Sequence, residues 1–141
     1  MTEAQLVAAT GLLGLFLVLP PLVALVRTTS LREAIGNRAV VTALPERANR
    51  AVRAQRNMID TLVPFLAIVI ALQMAGVSNE NTQLGAMIFF CARVAHATVY
   101  IAGIPYVRTL AFLVSVNGLF RMAREVVPIT SPSTLLLDLF S

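Results

Sequence analysis

The stretch "RAVRAQRNMIDTLVPFLAIVIAL", Arg50 to Leu72, decides the fold. It opens with three arginines in seven residues, passes through Asn57 and Asp60, and then becomes continuous hydrocarbon. From Thr61 to Val77 there are 17 residues without a charge, so a helix crossing a bilayer must recruit the turn before Thr61. Polar groups at the mouth of a membrane span cost free energy. Arg56, Asn57 and Asp60 therefore need a reason to be there.

The rest of the chain has the same character. Of 141 residues, 57% are hydrophobic and 13% charged, where a soluble domain carries about a quarter charged residues. Leu6 to Val26 forms a first uncharged run of 21 residues, long for the apolar region of a signal peptide and with no basic n-region before it. Pro20-Pro21 should kink or unwind its last third. A third run extends from near Thr82 to about Ile101 and contains Arg93 and His96. "AGIP", Ala102 to Pro105, breaks it, and a fourth runs from about Tyr106 to Phe120, closed by "RMAR". The expectation is an all-α membrane protein with four transmembrane helices over residues 1–125. A tail, residues 126–141, carries Pro128 and Pro132 and ends in the apolar Leu135 to Phe140, a candidate docking element for another membrane protein.

All 11 basic residues are arginines, against seven acids. Because they crowd beside the apolar runs, the basic balance reads as membrane flanking rather than nucleic-acid binding. The connection expected between Arg27 and Arg56 carries Arg27, Arg32, Arg38, Arg47, Arg50 and Arg53. The positive-inside rule makes that side cytoplasmic, in a bacterial inner membrane with both termini periplasmic. Arg27, Arg32 and Arg47 read as contacts to anionic headgroups. Cys91 stands alone, which excludes an internal disulfide and a cysteine metal cluster, and it reads as a small buried hydrophobe.

Helical geometry gathers the polar residues. With Arg53 as origin and about 100° per residue, Asn57 falls near +40° and Asp60 near −20°, one face over about two turns. Asp60 lies four residues after Arg56, within pairing distance on a helix. Arg93, His96 and Tyr100 form one stripe on the third span. Arg108 lies in the first turn of the fourth, so three helices bring polar groups to one membrane level. Arg93 needs a partner, and Asp60 is the candidate. The set is either a satisfied interhelical network or a cationic pocket for an anionic ligand, since the arginines outnumber the one acid and their forks suit carboxylates. No second His or Cys accompanies His96 at metal-ligand spacing. Ser115 is too far along its helix to complete a triad, and "GLLG", Gly11 to Gly14, is packing rather than a phosphate loop. A transporter reading lacks the inverted repeat with paired broken helices.

These residues resemble the membrane-associated proteins in eicosanoid and glutathione metabolism, the MAPEG family. "RANRAVRAQRNMIDTLVPF" is similar to the family's second-helix signature, with Arg53, Arg56-Asn57, Asp60 and Pro64. "ARVAHATVYIAGIPYVRTLAF" is similar to the end of helix three and start of helix four, with Arg93, His96, Tyr100 and Arg108, and "GNR" at Gly36 to Arg38 resembles small bacterial members. The resemblance covers roughly residues 5 to 122. It implies a left-handed four-helix bundle assembled as a homotrimer, with glutathione as thiol co-substrate in a cleft between subunits. Arg53, Asn57 and Asp60 would hold glutathione, with Arg93, His96 and Tyr100 lining the cleft, and Arg108 would stabilise the thiolate. The implied activity joins that thiolate to lipophilic electrophiles or reduces lipid hydroperoxides. The alternative is a non-enzymatic scaffold or accessory subunit with the same fold. Two departures stand out: Asp60 replaces the usual Glu, and Phe112 stands where some eicosanoid-making members carry Tyr, which points away from a prostaglandin- or leukotriene-type activity.

Overall fold

A computed structural model describes residues 1–28 and 44–127. These form five helices in chain order: α1 Glu3–Phe16, α2 Leu19–Thr28, α3 Glu46–Met74, α4 Glu80–Ala102 and α5 Pro105–Val126. No strand occurs among the described residues. The "GNR" stretch, Arg32 and the apolar tail end, Leu135 to Phe140, lie outside them.

The first span is two helices with a turn at Leu17 and Val18. Pro20 and Pro21 explain the break: neither can donate to a carbonyl one turn back, so both sit in the first turn of α2, where no intrahelical donor is needed. Thr2 and Gln5 begin α1 with reciprocal side-chain and backbone hydrogen bonds.

Helix α3 starts at Glu46, three turns earlier than the hydropathy pattern suggests. Residues 46–56, expected as part of a connection, are helical because Ala, Arg, Gln and Glu are strong helix formers regardless of polarity. Its 29 residues span roughly 44 Å at 1.5 Å per residue. That exceeds a hydrocarbon core of about 30 Å, so the arginine-rich start projects beyond it. Pro64 lies within α3 and leaves the Asp60 carbonyl without its usual donor. One turn earlier, the Thr61 hydroxyl donates to the Asn57 carbonyl at 2.9 Å.

Asn79 caps α4, accepting from the Thr82 backbone N–H while the Thr82 hydroxyl accepts from the Asn79 N–H. Gly103 ends the helix at φ 84°, a left-handed conformation that suits glycine, and Pro105 opens α5. The break expected at "AGIP" is thus built from a Gly stop and a Pro start. Helix α5 continues through "RMAR" to Val126 rather than stopping there.

Glu3–Thr28, Glu46–Met74 and Glu80–Ala102 are each long and apolar enough to cross a membrane. Helix α5 has the length, but Arg108, Asn117 and Arg121 reduce its apolarity. Its most extensive contact is with α4, where Gly85 and Gly118 bring the backbones together. A Cβ on Gly118 would lie 2.7 Å from the Gly85 carbonyl oxygen, and one on Gly85 2.9 Å from the Gly118 carbonyl oxygen. The core beside this contact joins Leu6, Phe65, Val69, Leu72, Ala86, Phe89 and Met122, with the Phe65 and Phe89 rings stacked at 4.2 Å.

Large apolar side chains face outward along α1, α3 and α5, among them Leu15, Phe16, Val63, Ile70, Leu110 and Leu113. Rows of exposed aliphatic groups of this extent suit a lipid environment. Cys91 is exposed too, not buried as its residue type suggests. It falls on the outer side of α4, turned away from buried Phe89 and Arg93.

Candidate functional site

Near the α3 end that carries the arginines, α3, α4 and α5 bring together a polar group. Arg93 projects from α4 and is fully buried, at 0% exposure. Its Nη2 donates to Asn57 Oδ1 on α3 at 2.9 Å, while Nε and Nη1 are buried without a partner among the described residues. Buried polar atoms are nearly always bonded, and an unmatched buried cation is especially costly. This geometry therefore presents two donors to an anion or a water.

Three residues along α4, His96 is buried with Nδ1 unbonded. Its ring meets Tyr100 edge-on at 5.4 Å and Phe112 of α5 at 6.3 Å. Arg108, in the first turn of α5, lays its guanidinium over the Tyr100 ring at 4.5 Å. The aromatic face orients the cation without neutralising it. A second positive group thus stands beside His96, and the α5 N-terminus adds a partial positive charge.

Arg53 and Asp60 are elsewhere. The buried face of α3 runs through Ala51, Ala54, Met58, Thr61, Phe65, Val69 and Leu72, centred roughly 120° from Arg53 around the helix. Arg53 and Asp60 consequently point out of the bundle and are exposed, while Asn57 sits at the edge and is half-buried. The expected Arg93–Asp60 pair does not form: Asn57 is nearer the buried face and takes the guanidinium instead. Nor does Arg56 pair with Asp60 among the described residues. Arg53 instead meets Glu46 at 3.1 Å, and Arg50 approaches the same carboxylate at 3.6 Å.

Glu46 as a partner, Phe112 as a wall for His96, and Arg50 as a brace went unread in the sequence. Arg50 Nε donates to the Ile101 carbonyl at 3.1 Å, serving the exposed C-terminal end of α4. The i, i+4 spacing of Glu46 and Arg50 was the available signal for the first. No local signal exists for the other two, which depend on how α4 and α5 pack.

The MAPEG family model matches residues 6–126. The chain belongs to the MAPEG family. The match runs from Leu6 in α1 to the last residue of α5, and so contains both motif stretches and all seven expected site residues. At the family level this is a membrane protein of the glutathione- and eicosanoid-metabolism kind, an all-α membrane bundle. No curated protein matches the chain.

Proposed function

We propose that this MAPEG member is a membrane glutathione transferase that also has the chemistry to act as a peroxidase. It works as a homotrimer in a bacterial inner membrane, with its site at the cytoplasmic face. The observation that carries the reading is the buried Arg93 guanidinium with two unserved nitrogens, one turn along α4 from His96, whose neighbour Tyr100 carries a second cation, Arg108, over its ring. Glutathione, with two carboxylates, an ammonium and a thiol, matches several arginines and one acid. Arg53 and Asp60 look away from their own bundle. A neighbouring copy seated on that face of α3 would bring them against a shared ligand and cover polar groups that lipid would not accept.

In this reading Arg53, Asn57 and Asp60 grip the tripeptide, Arg93, His96 and Tyr100 line the cleft, and Arg108 stabilises the thiolate. A cation beside a thiol raises the ionised fraction at neutral pH. The sulfur then attacks an electrophilic carbon to form a thioether, either displacing a leaving group that departs with the bonding pair or adding to an activated double bond whose carbanion takes a proton from water. With a hydroperoxide it attacks the peroxide oxygen to release an alcohol, and a second glutathione completes the disulfide with loss of water. Lipophilic substrates enter from the bilayer and the thiol from water.

One observation favours a second reading, a non-enzymatic scaffold. Glu46 already occupies Arg53 within the chain. Calorimetry with glutathione and the purified protein in mild detergent, together with ultraviolet absorbance of the thiolate, separates the two. The transferase reading expects binding heat and a thiolate signal at neutral pH. Absence of both retires it in favour of the scaffold.

A further inference from the structure

A cavity of about 260 Å³ opens between α2, the start of α3 and the end of α4. Its walls include Val23 and Ala24 from α2, Ala48 from α3 and Ile101 from α4. Its charged lining is Arg27, in the last turn of α2, and Arg47, in the first turn of α3. The gap follows from the proline break. Once Pro20 and Pro21 separate α2 from α1, α2 no longer continues into the core. None of its residues is buried, and among the described helices its principal contact is with α3 alone.

The two arginines differ from their neighbours. Arg50 and Arg53 share Glu46, whereas Arg27 and Arg47 make no ion pair or hydrogen bond among the described residues. Arg27 closes the first apolar span, and Arg47 stands in the part of α3 that projects beyond the hydrocarbon core, toward the headgroups, while Val23, Ala24, Ala48 and Ile101 give the cavity beside them apolar walls. Two unpaired guanidinium groups beside a hydrocarbon-lined space match a molecule with an anionic phosphate head and an apolar tail.

We propose that this cavity is a binding site for one anionic phospholipid per subunit. The phosphate lies on Arg27 and Arg47, and the upper part of one acyl chain fills the space between α2 and α4. The lipid takes the place of the side-chain packing that α2 lacks. The site is separate from the Asn57–Arg93 cluster and does not depend on the transferase reading.

The test uses the full chain in mild detergent, with lipid retention counted by native mass spectrometry during titration with dioleoyl phosphatidylglycerol or dioleoyl phosphatidylcholine. Wild type should prefer the anionic lipid by about twenty-five-fold, two arginines at about fivefold each. Arg27→Gln with Arg47→Gln should abolish the preference, while Arg124→Gln, at the opposite end of the bundle, should keep it. Ala24→Phe leaves both arginines but fills the hollow, and should lose the lipid while eluting as a folded species. Inorganic phosphate at millimolar concentration should fail to displace it. The proposal is overturned if the double variant keeps the preference, if Arg124→Gln loses it equally, if Ala24→Phe binds as wild type does, or if phosphate alone displaces the lipid.

Discussion

Arg93 Nη2 on α4 donates to Asn57 Oδ1 on α3 across 2.9 Å, and Asp60, three residues further along α3, stays exposed and unpaired among the described residues. A neutral amide, not a carboxylate, therefore holds the buried cation. The charge on Arg93 is left to be met by something outside these helices.

This relationship predicts an asymmetry between two neighbouring α3 substitutions. Asn57→Ala removes the guanidinium's only acceptor among the described residues and should cost about 1–3 kcal/mol. Asp60→Ala, at an exposed position, should change stability by no more than about 0.5 kcal/mol. Denaturant unfolding of the detergent-solubilised protein checks both. A larger loss for Asp60→Ala than for Asn57→Ala would mean that Asp60, not Asn57, meets the cation.

The glycine contact between α4 and α5 gives a second asymmetry. Ala at Gly118 would place a Cβ 2.7 Å from the Gly85 carbonyl oxygen and 2.9 Å from the Phe89 nitrogen, both backbone atoms that cannot rotate away. Gly118→Ala should therefore destabilise by about 1–3 kcal/mol. A Cβ on Gly11 would meet nothing within 4 Å. Gly11→Ala should gain about 0.5–1 kcal/mol, since glycine is a poor residue inside a helix. Melting temperatures of the two variants should move in opposite directions.

A third prediction concerns the other end of the bundle. Glu3 is 1% exposed and accepts from the hydroxyls of Ser78 and Thr82, tying the start of α1 to the entry of α4. Glu3→Ala should lose about 1.5–3 kcal/mol, the range for hydrogen bonds to a charged group. Glu3→Gln keeps one carbonyl acceptor and should lose distinctly less. Amide exchange at the α1 N-terminus should rise in the same order. Unchanged exchange in Glu3→Ala would show that α1 is held by its apolar contacts alone.

The sequence made some of this visible and hid the rest for physical reasons. The apolar runs, the proline break after Phe16 and the stop at Gly103 follow from local chemistry, and each occurs where hydropathy and backbone constraint agree. The start of α3 was hidden because hydropathy reports burial in lipid, not helicity, and residues 46–56 are helical yet polar. Convergence of Asn57, Arg93, His96, Tyr100 and Arg108 was legible because each lies in the half of its helix that faces one side of the membrane, once the spans are taken to alternate in direction. Which acceptor Arg93 finds was not, because Asn57 and Asp60 differ by only about 60° around α3. The choice depends on the rotation of α3 against α4. The Glu3 link, spanning 75 residues to Ser78, has no local signature beyond a buried-side acid in the first turn.

The last prediction divides labour within the proposed glutathione site. Arg108 is held over Tyr100 at 4.5 Å, in the first turn of α5, whereas Arg53 is exposed and shared with Glu46. Under the transferase reading Arg53 contributes grip and Arg108 contributes ionisation. Arg53→Ala should weaken glutathione affinity and leave the acidity of the bound thiol nearly unchanged. Arg108→Ala should retain most of the affinity and raise the bound thiol's pKa, each unit corresponding to about 1.36 kcal/mol of lost thiolate stabilisation. The sign follows from charge: removing a cation disfavours the anion, so the thiolate signal appears only at higher pH. Tyr100 supplies the check on positioning. Tyr100→Phe preserves the ring beneath the guanidinium and should leave the thiolate titration where it was, while Tyr100→Leu removes the ring and should shift it in the direction of Arg108→Ala. Thiolate absorbance titrated against pH, with affinity measured separately by calorimetry, reads both quantities. A titration unmoved in Arg108→Ala, with glutathione still bound, would remove Arg108 from the chemistry and make its contact with Tyr100 a purely structural one.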